Sequence, residues 1–216
     1  MRGSVEIGAI ILLSMQVSAM AVLASSVVGI PLGAWAGLGR GRVGAWASLL
    51  SRTGMSLPPV VVGLLLYLLL SRTGPLGSLG WLFTPRAMVL AQTILALPFV
   101  VGITLASVQA VPPDLILQVE GLGASPWQAR WVVLREARSG IALAVATALG
   151  RSFSEVGAVL IVGGNIQGHT RVLTTAIVLE TGRGDFAVAL TLGGVLLAMA
   201  LVVNALILLG DGKGFR

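Results

Sequence analysis

Long apolar stretches separated by short polar segments set the pattern of this chain. The runs fall at about 8–36, 55–71, 87–111, 139–163 and 186–209. A helix of about 20 apolar residues crosses the hydrocarbon core of a bilayer. The pattern therefore predicts an all-α integral membrane protein, one domain over 1–216, with about five transmembrane helices. The second run opens with Pro58-Pro59, tolerated at a helix start because the first N–H groups lack partners anyway. The third contains Pro98, which is predicted to kink it. Gly29, Gly33 and Gly37 recur at four-residue spacing in the first run, a pattern that lets two helix backbones approach closely.

Composition supports lipid as the solvent. Of 216 residues, 56% are hydrophobic and 10% charged, and the mean hydropathy is +0.98. A soluble domain carries about 25% charged residues, because its water-facing surface must be polar somewhere. The N-terminal apolar run, Ile7 to Trp35, is too long for a secretory signal, whose apolar part is roughly 7–15 residues. Net charge is +6, from 13 Arg and one Lys against eight acids. The arginines stand singly between apolar runs, which fits membrane anchoring rather than nucleic acid. One His and no Cys leave no metal-ligand cluster.

Orientation follows from the cations between spans. With the N-terminus outside and the C-terminus inside, the inner segments hold Arg40, Arg42, Arg52, Arg130, Arg135, Arg138, Lys213 and Arg216. The outer segments hold Arg2, Arg72, Arg86, Arg171 and Arg183. Eight inside against five outside favours that topology and puts residues 112–138 in the cytoplasm.

That segment, PPDLILQVEGLGASPWQARWVVLREAR, reads as two short helices joined at a glycine turn. Pro112-Pro113 ends the third span, and Asp114 suits a new helix N-terminus. Leu115, Ile116, Val119 and Leu122 give an apolar face. After Gly121 and Gly123, Ser125, Pro126 and Gln128 combine an N-cap, a first-turn proline and a capping box. Trp127, Trp131 and Leu134 share a face of the second helix. Geometry alone leaves two readings open, an interfacial helix lying on the bilayer and a docking element for a partner.

Arg151 and Glu155 interrupt the fourth run four residues apart, on one helix face with Ser154 nearby. Each charge costs about 2.5–3.5 kcal/mol at a bilayer centre, less when paired. They form either a structural ion pair or part of a translocation path. Asn165, Thr170, Thr174 and Thr175, with His169, then predict a polar outer loop suited to a substrate-delivering protein. The lone Lys213 sits in GDGKGFR, without the hydroxyl and leading loop of a phosphate-binding P-loop, so any ATP hydrolysis is expected in another polypeptide.

The run LQVEGLGASPWQARWVV resembles the coupling loop of permeases of ATP-binding-cassette (ABC) importers. That motif is EAA, three residues, Gly, nine residues, Ile-x-Leu-Pro. Gly123 stands at its central glycine. The EAA positions hold Leu117, Gln118 and Val119, with Glu120 just after, and the closing Leu-Pro reads Leu134-Arg135 after a one-residue slip. Residues 150–190 are similar to tungstate-type permeases and more loosely to those for molybdate and sulfate, as is the REAR run at 135–138. The resemblance implies a type I ABC importer permease fold and import of an oxyanion such as tungstate. It implies docking of Glu120, Leu122, Gly123, Ala124, Ser125 and Pro126 into a cleft of an ATPase subunit. It also implies a homodimer in a bacterial or archaeal cytoplasmic membrane, with two ATPase subunits inside and a substrate-binding protein outside. No cofactor is expected in this chain, ATP and Mg being used by the ATPase. From the residues alone, a small ion channel or secondary transporter using the Arg151/Glu155 pair stays open.

Overall fold

A computed structural model describes the backbone of residues 2–39 and 41–210 and the side chains of 7–39 and 41–205. Among these, every regular element is helical. The long helices are α1 (Arg2–Leu38), α4 (Pro85–Gln109) and α10 (Phe186–Gly210). Between α1 and α4 lie α2 (Arg42–Met55), α3 (Pro59–Leu70) and a single 3₁₀ turn at Gly77–Leu79. Between α4 and α10 come α5 (Pro113–Gly121), α6 (Pro126–Glu136), α7 (Arg138–Ser154), α8 (Gly157–Gly163) and α9 (Leu173–Gly182). Three helices are long and apolar enough to cross a membrane, and five spans result if each of the bent pairs α2–α3 and α7–α8 counts as one.

The centre of the fold is the parallel packing of α1 on α4. A Cβ on Gly29 would lie 2.8 Å from Val100, one on Gly33 2.6 Å from the Val101 carbonyl, and one on Gly37 2.8 Å from Val108. The small-residue stripe read in the sequence is therefore the seat for α4. In a bilayer, where lipid is as apolar as leucine, such close backbone contact supplies the dispersion that hydrophobicity cannot. Pro98 lies inside α4, which remains one helical element, and α2 leans on its ring: a Cβ on Gly54 would meet Pro98 Cγ at 2.6 Å.

Two differences from the sequence pattern have physical causes. The stretch before residue 55, expected to be an inner loop, holds α2, which runs antiparallel to α4 from Gln109 to Pro98 and meets α3 at a 92° bend. Pro58 and Pro59 disfavour helical geometry in the residues before them, so α2 stops and α3 restarts with Pro59 in its first turn. Arg42, Ser48, Ser51, Arg52 and Thr53 broke the apolar run and hid this helix. Arg52 thus leaves the inner-loop tally for a position on α2 between residues that pack on Gly102 and Pro98. Arg40, Lys213 and Arg216 of that tally lie outside the described residues. The second difference is α9, in the segment expected to be an outer loop. Its first residues, Leu173 to Ala176, are buried, with Leu173 and Ala176 packed against α1 and α10.

Candidate functional site

The α5–α6 hairpin follows the end of α4 and is anchored from below. Val133 and Ala137 of α6 join Val108 of α4 in a small core, with Leu38, Ile116, Leu134 and Ile141 packed around it. At the tip the chain turns on backbone bonds, Gly123 N–H to Glu120 O at 2.9 Å and Ala124 N–H to Val119 O at 3.2 Å. Gly123 takes φ +90°, a region that side chains with a Cβ rarely enter. The restart of α6 follows the sequence reading: Ser125 Oγ accepts the Gln128 N–H at 3.4 Å, and Gln128 Oε1 accepts the Ser125 N–H at 2.8 Å. Pro126 occupies the first turn, where its missing donor costs nothing.

The tip leaves apolar surface uncovered. Leu122 is 89% exposed and Trp127 74% exposed. Glu120 and Gly123 are exposed and Ala124 is half-buried. The apolar face drawn from Leu115 to Leu122 therefore divides: Ile116 joins the core, while Leu122 projects from it. Local caps and a packed base hold the hairpin in shape, and its leading apolar residues have no partner within the described chain.

The second cluster lies where α7 ends and α8 begins, a 59° bend. Arg151 Nη2 lies 3.5 Å from Glu155 Oε2, with the arginine side chain 33% exposed and the glutamate 4%. The charges expected on one helix face do meet, although Glu155 has already left the helix, with ψ 126°. Its other oxygen accepts the Ala158 N–H at 3.1 Å, capping the first turn of α8. Its backbone carbonyl accepts from Thr174 Oγ1 at 3.0 Å. Glu155 thereby ties α7, α8 and α9 together. Ser154 is exposed and bonds back to its own helix, at Gly150 O and Arg151 O.

The polar residues after Gly164 do not form the open surface the sequence suggested. Thr170 and Thr174 are buried, at 0% and 7% exposure. Thr170 Oγ1 bridges Gly163 O (2.5 Å) and Ile166 N–H (3.0 Å). Asn165, half-buried at φ +50°, reaches the Thr175 carbonyl with Nδ2 at 3.4 Å. Threonines satisfy buried backbone here, because their hydroxyls both donate and accept. Of this segment, Ile166, Gln167, Gly168 and His169 face outward.

Sequence reasoning missed the neighbours of this bend. Gln92 of α4 donates from Nε2 to Ser152 O at 3.1 Å, and Ser14 of α1 accepts the Leu173 N–H at 2.8 Å. Both lie beside Phe153 and Thr174. Gln92, an amide within an apolar run, was the signal available for this contact. No group of three or more metal-ligating side chains occurs among the described residues.

Residues 29–212 match the family described as the binding-protein-dependent transport system inner membrane component. The chain is 46% identical over 198 residues to a probable anion ABC transporter permease protein of Haloferax volcanii, covering 89% of this chain and 85% of that one. It is 40% identical over 202 residues to the tungstate uptake system permease protein TupB of Peptoclostridium acidaminophilum, covering 94% and 89%. To the TupB of Campylobacter jejuni it is 42% identical over 156 residues, covering 72% and 65%. A helical bundle with an exposed, capped hairpin and a match over most of its length place this chain in the binding-protein-dependent transport system inner membrane component family, the multi-pass permeases of ABC importers.

Proposed function

We propose that the chain is the membrane-spanning subunit of an ATP-driven importer for an oxyanion of the tungstate type. The observation that carries this reading is the α5–α6 tip, with Leu122 and Trp127 uncovered on a turn fixed by Gly123 and the Ser125 cap. Its similarity to anion and tungstate permeases supports the substrate class. Two copies of the chain form the path, two ATPase subunits take the hairpins, and a substrate-binding protein delivers the anion at the opposite end. ATP and Mg act in the ATPase.

The hairpin base explains how a push on the tip travels. Val133, Ala137 and Ile141 link α6 and α7 to the ends of α1 and α4, so closure of the ATPase pair displaces α7 as a rod. The next joint along that rod is the bend at Glu155. Arg151, Ser154 and Glu155 border the path at this joint. The ion pair leaves the site close to neutral, which suits a permease that must release its anion. In this account the Arg151/Glu155 pair has no need to relay ions.

The N-terminus lies outside and the C-terminus inside. His169 and Ser125 flank opposite ends of α4: the first follows Gly163, which packs on Met88 near the start of α4 and bonds Thr170, and the second lies beyond the end of α4. Ser125→Cys should react with a membrane-impermeant thiol reagent only from the cytoplasm, and His169→Cys only from outside. Reaction of both from one side rejects the topology. The function itself is tested in proteoliposomes containing the chain, its cognate ATPase and the binding protein. Tungstate should accumulate only when ATP, ATPase and binding protein are all present, and flux without ATP would reject the importer reading.

A further inference from the structure

Among the described residues, a concave surface at the base of the hairpin joins apolar and cationic side chains. It is a groove of about 610 Å³ between α1, α6 and α7. Ile30, Pro31 and Ala34 form its α1 wall, and Trp131, Arg135 and Arg138 stand along its edge. Trp131 is 62% exposed, and both arginines are exposed. Neither arginine makes an ion pair among the described residues. The adjoining hollow is lined by the same two arginines with Glu136 and Ser139, so one carboxylate offsets part of the charge.

The height of each part decides what fits. Gly37 packs on Val108 near the end of α4, and Gly29 packs on Val100 farther along it. The α1 wall from Ala34 to Ile30 therefore climbs from the hairpin end toward the middle of the bundle, by about 6 Å at 1.5 Å per residue. Arg135 and Arg138 sit at the opposite, hairpin-facing lip, at the junction of α6 and α7. A ligand spanning the groove has an anionic head at the arginines and a hydrocarbon chain along Ile30, Pro31 and Ala34. Trp131 at the lip suits the headgroup level of a bilayer, where an indole keeps its ring apolar and its N–H wet. Basic pockets between membrane helices hold anionic headgroups by the same attraction.

We infer that this groove is a binding site for an anionic phospholipid, held by Arg135 and Arg138 through its phosphate and by the α1 wall through an acyl chain. A free oxyanion would use the arginines and leave the apolar wall idle. A second copy of the chain would have to bring its own carboxylates to two unpaired guanidinium groups. The inference rests on neither the transported substrate nor the topology. It also gives the lipid a place against the base of the hairpin, where occupancy braces α6 on α1.

Full-length protein in a nonionic detergent, examined by native mass spectrometry, tests it with dioleoyl phosphatidylglycerol, dioleoyl phosphatidylcholine and glycerol 3-phosphate. Phosphatidylglycerol should stay bound, preferred over phosphatidylcholine by about fivefold for each arginine engaged. Arg135→Gln with Arg138→Gln should bring that preference to parity, and Arg135→Lys with Arg138→Lys should keep most of it. Arg130→Gln, which changes an exposed arginine of α6 outside the groove, should leave it intact. Ala34→Trp should fill the wall and release the lipid although both arginines remain. Thermal melts of each variant distinguish loss of the site from loss of the fold; if the double glutamine variant is unfolded, the lysine pair and Ala34→Trp decide. Equal retention of the two lipids overturns the inference. So does undiminished preference in a folded glutamine or tryptophan variant, the outcome expected if a second copy covers the groove, or displacement by glycerol 3-phosphate.

Discussion

The α5–α6 hairpin and the α7–α8 bend are both breaks in helical structure, and they are held in opposite ways. At the hairpin, the interactions that set the shape span three to five residues: Ser125 with Gln128, Gly123 with Glu120, Ala124 with Val119. At the bend, the local Arg151–Glu155 pair and the Glu155 bond to Ala158 are joined by bonds that cross the chain: Thr174 with Glu155, Gln92 with Ser152, Leu173 with Ser14. The hairpin presents apolar residues outward, whereas the bend draws a carboxylate and several hydroxyls inward. A segment that must offer a fixed shape to another polypeptide is best stabilised from within itself. A joint within a membrane span needs partners for every freed backbone group, because lipid offers none.

Substitutions at the two breaks should therefore fail differently. The largest effect is expected from Glu155→Ala, which removes the partner of Arg151 and the cap of α8 together. Removing one member of a buried pair costs about 3–5 kcal/mol, reduced here because Arg151 remains partly wet. Thermal unfolding in detergent should show a large loss of stability or of assembled protein. Arg151→Ala should cost less, since it leaves the Glu155 bond to the Ala158 N–H in place. Combining Arg151→Leu with Glu155→Gln, which keeps an acceptor for the Ala158 N–H, should recover assembly; a double variant as unstable as Glu155→Ala would show that the pair is not the reason. Uptake by that double variant then reports whether the charges serve the path.

A smaller loss is expected at the hydroxyl that joins α9 to the bend. Thr174→Val keeps the volume and removes one buried bond, leaving the Glu155 carbonyl without its side-chain donor, for about 1–2 kcal/mol. An unchanged melting temperature would mean that α9 does not brace the bend. Ser125→Ala should have the smallest effect on global stability, since the cap is worth about 1 kcal/mol to a hairpin that is a minor part of the fold. Hydrogen exchange in the first turn of α6 should rise while exchange in α7 stays as it was. If protection falls equally in both helices, the hairpin is not the independent unit described here.

The same contrast explains how much the sequence disclosed. The cap at Ser125, the proline at 126 and the glycine turn are local rules, and all three appear in the structure as read. The packing stripe at Gly29, Gly33 and Gly37 was legible for a similar reason, since spacing alone puts small residues on one face. α2 was not, because arginine and hydroxyl residues interrupt a helix whose small-residue face packs on α4. The threonines at 170 and 174 looked like loop surface because nothing local says that a Gly163 or Glu155 carbonyl waits for them. Arg151 and Glu155 were visible as a pair through their spacing. Glu155 as a cap at a bend was not, because that role depends on α8 and α9.

On the proposed reading, the hairpin tip transmits ATPase motion through a shape fixed at Gly123. The reconstituted complex of permease, ATPase and binding protein, carrying Gly123→Val, tests it most directly when tungstate uptake and melting temperature are measured together. A β-branched residue held at positive φ costs of order 1–3 kcal/mol locally, enough to reshape an exposed turn while leaving the core intact. Uptake should fall at least about tenfold, as expected when more than 1.4 kcal/mol of docking free energy is lost, with a melting temperature close to that of the unaltered chain. Uptake equal to the unaltered complex would contradict it.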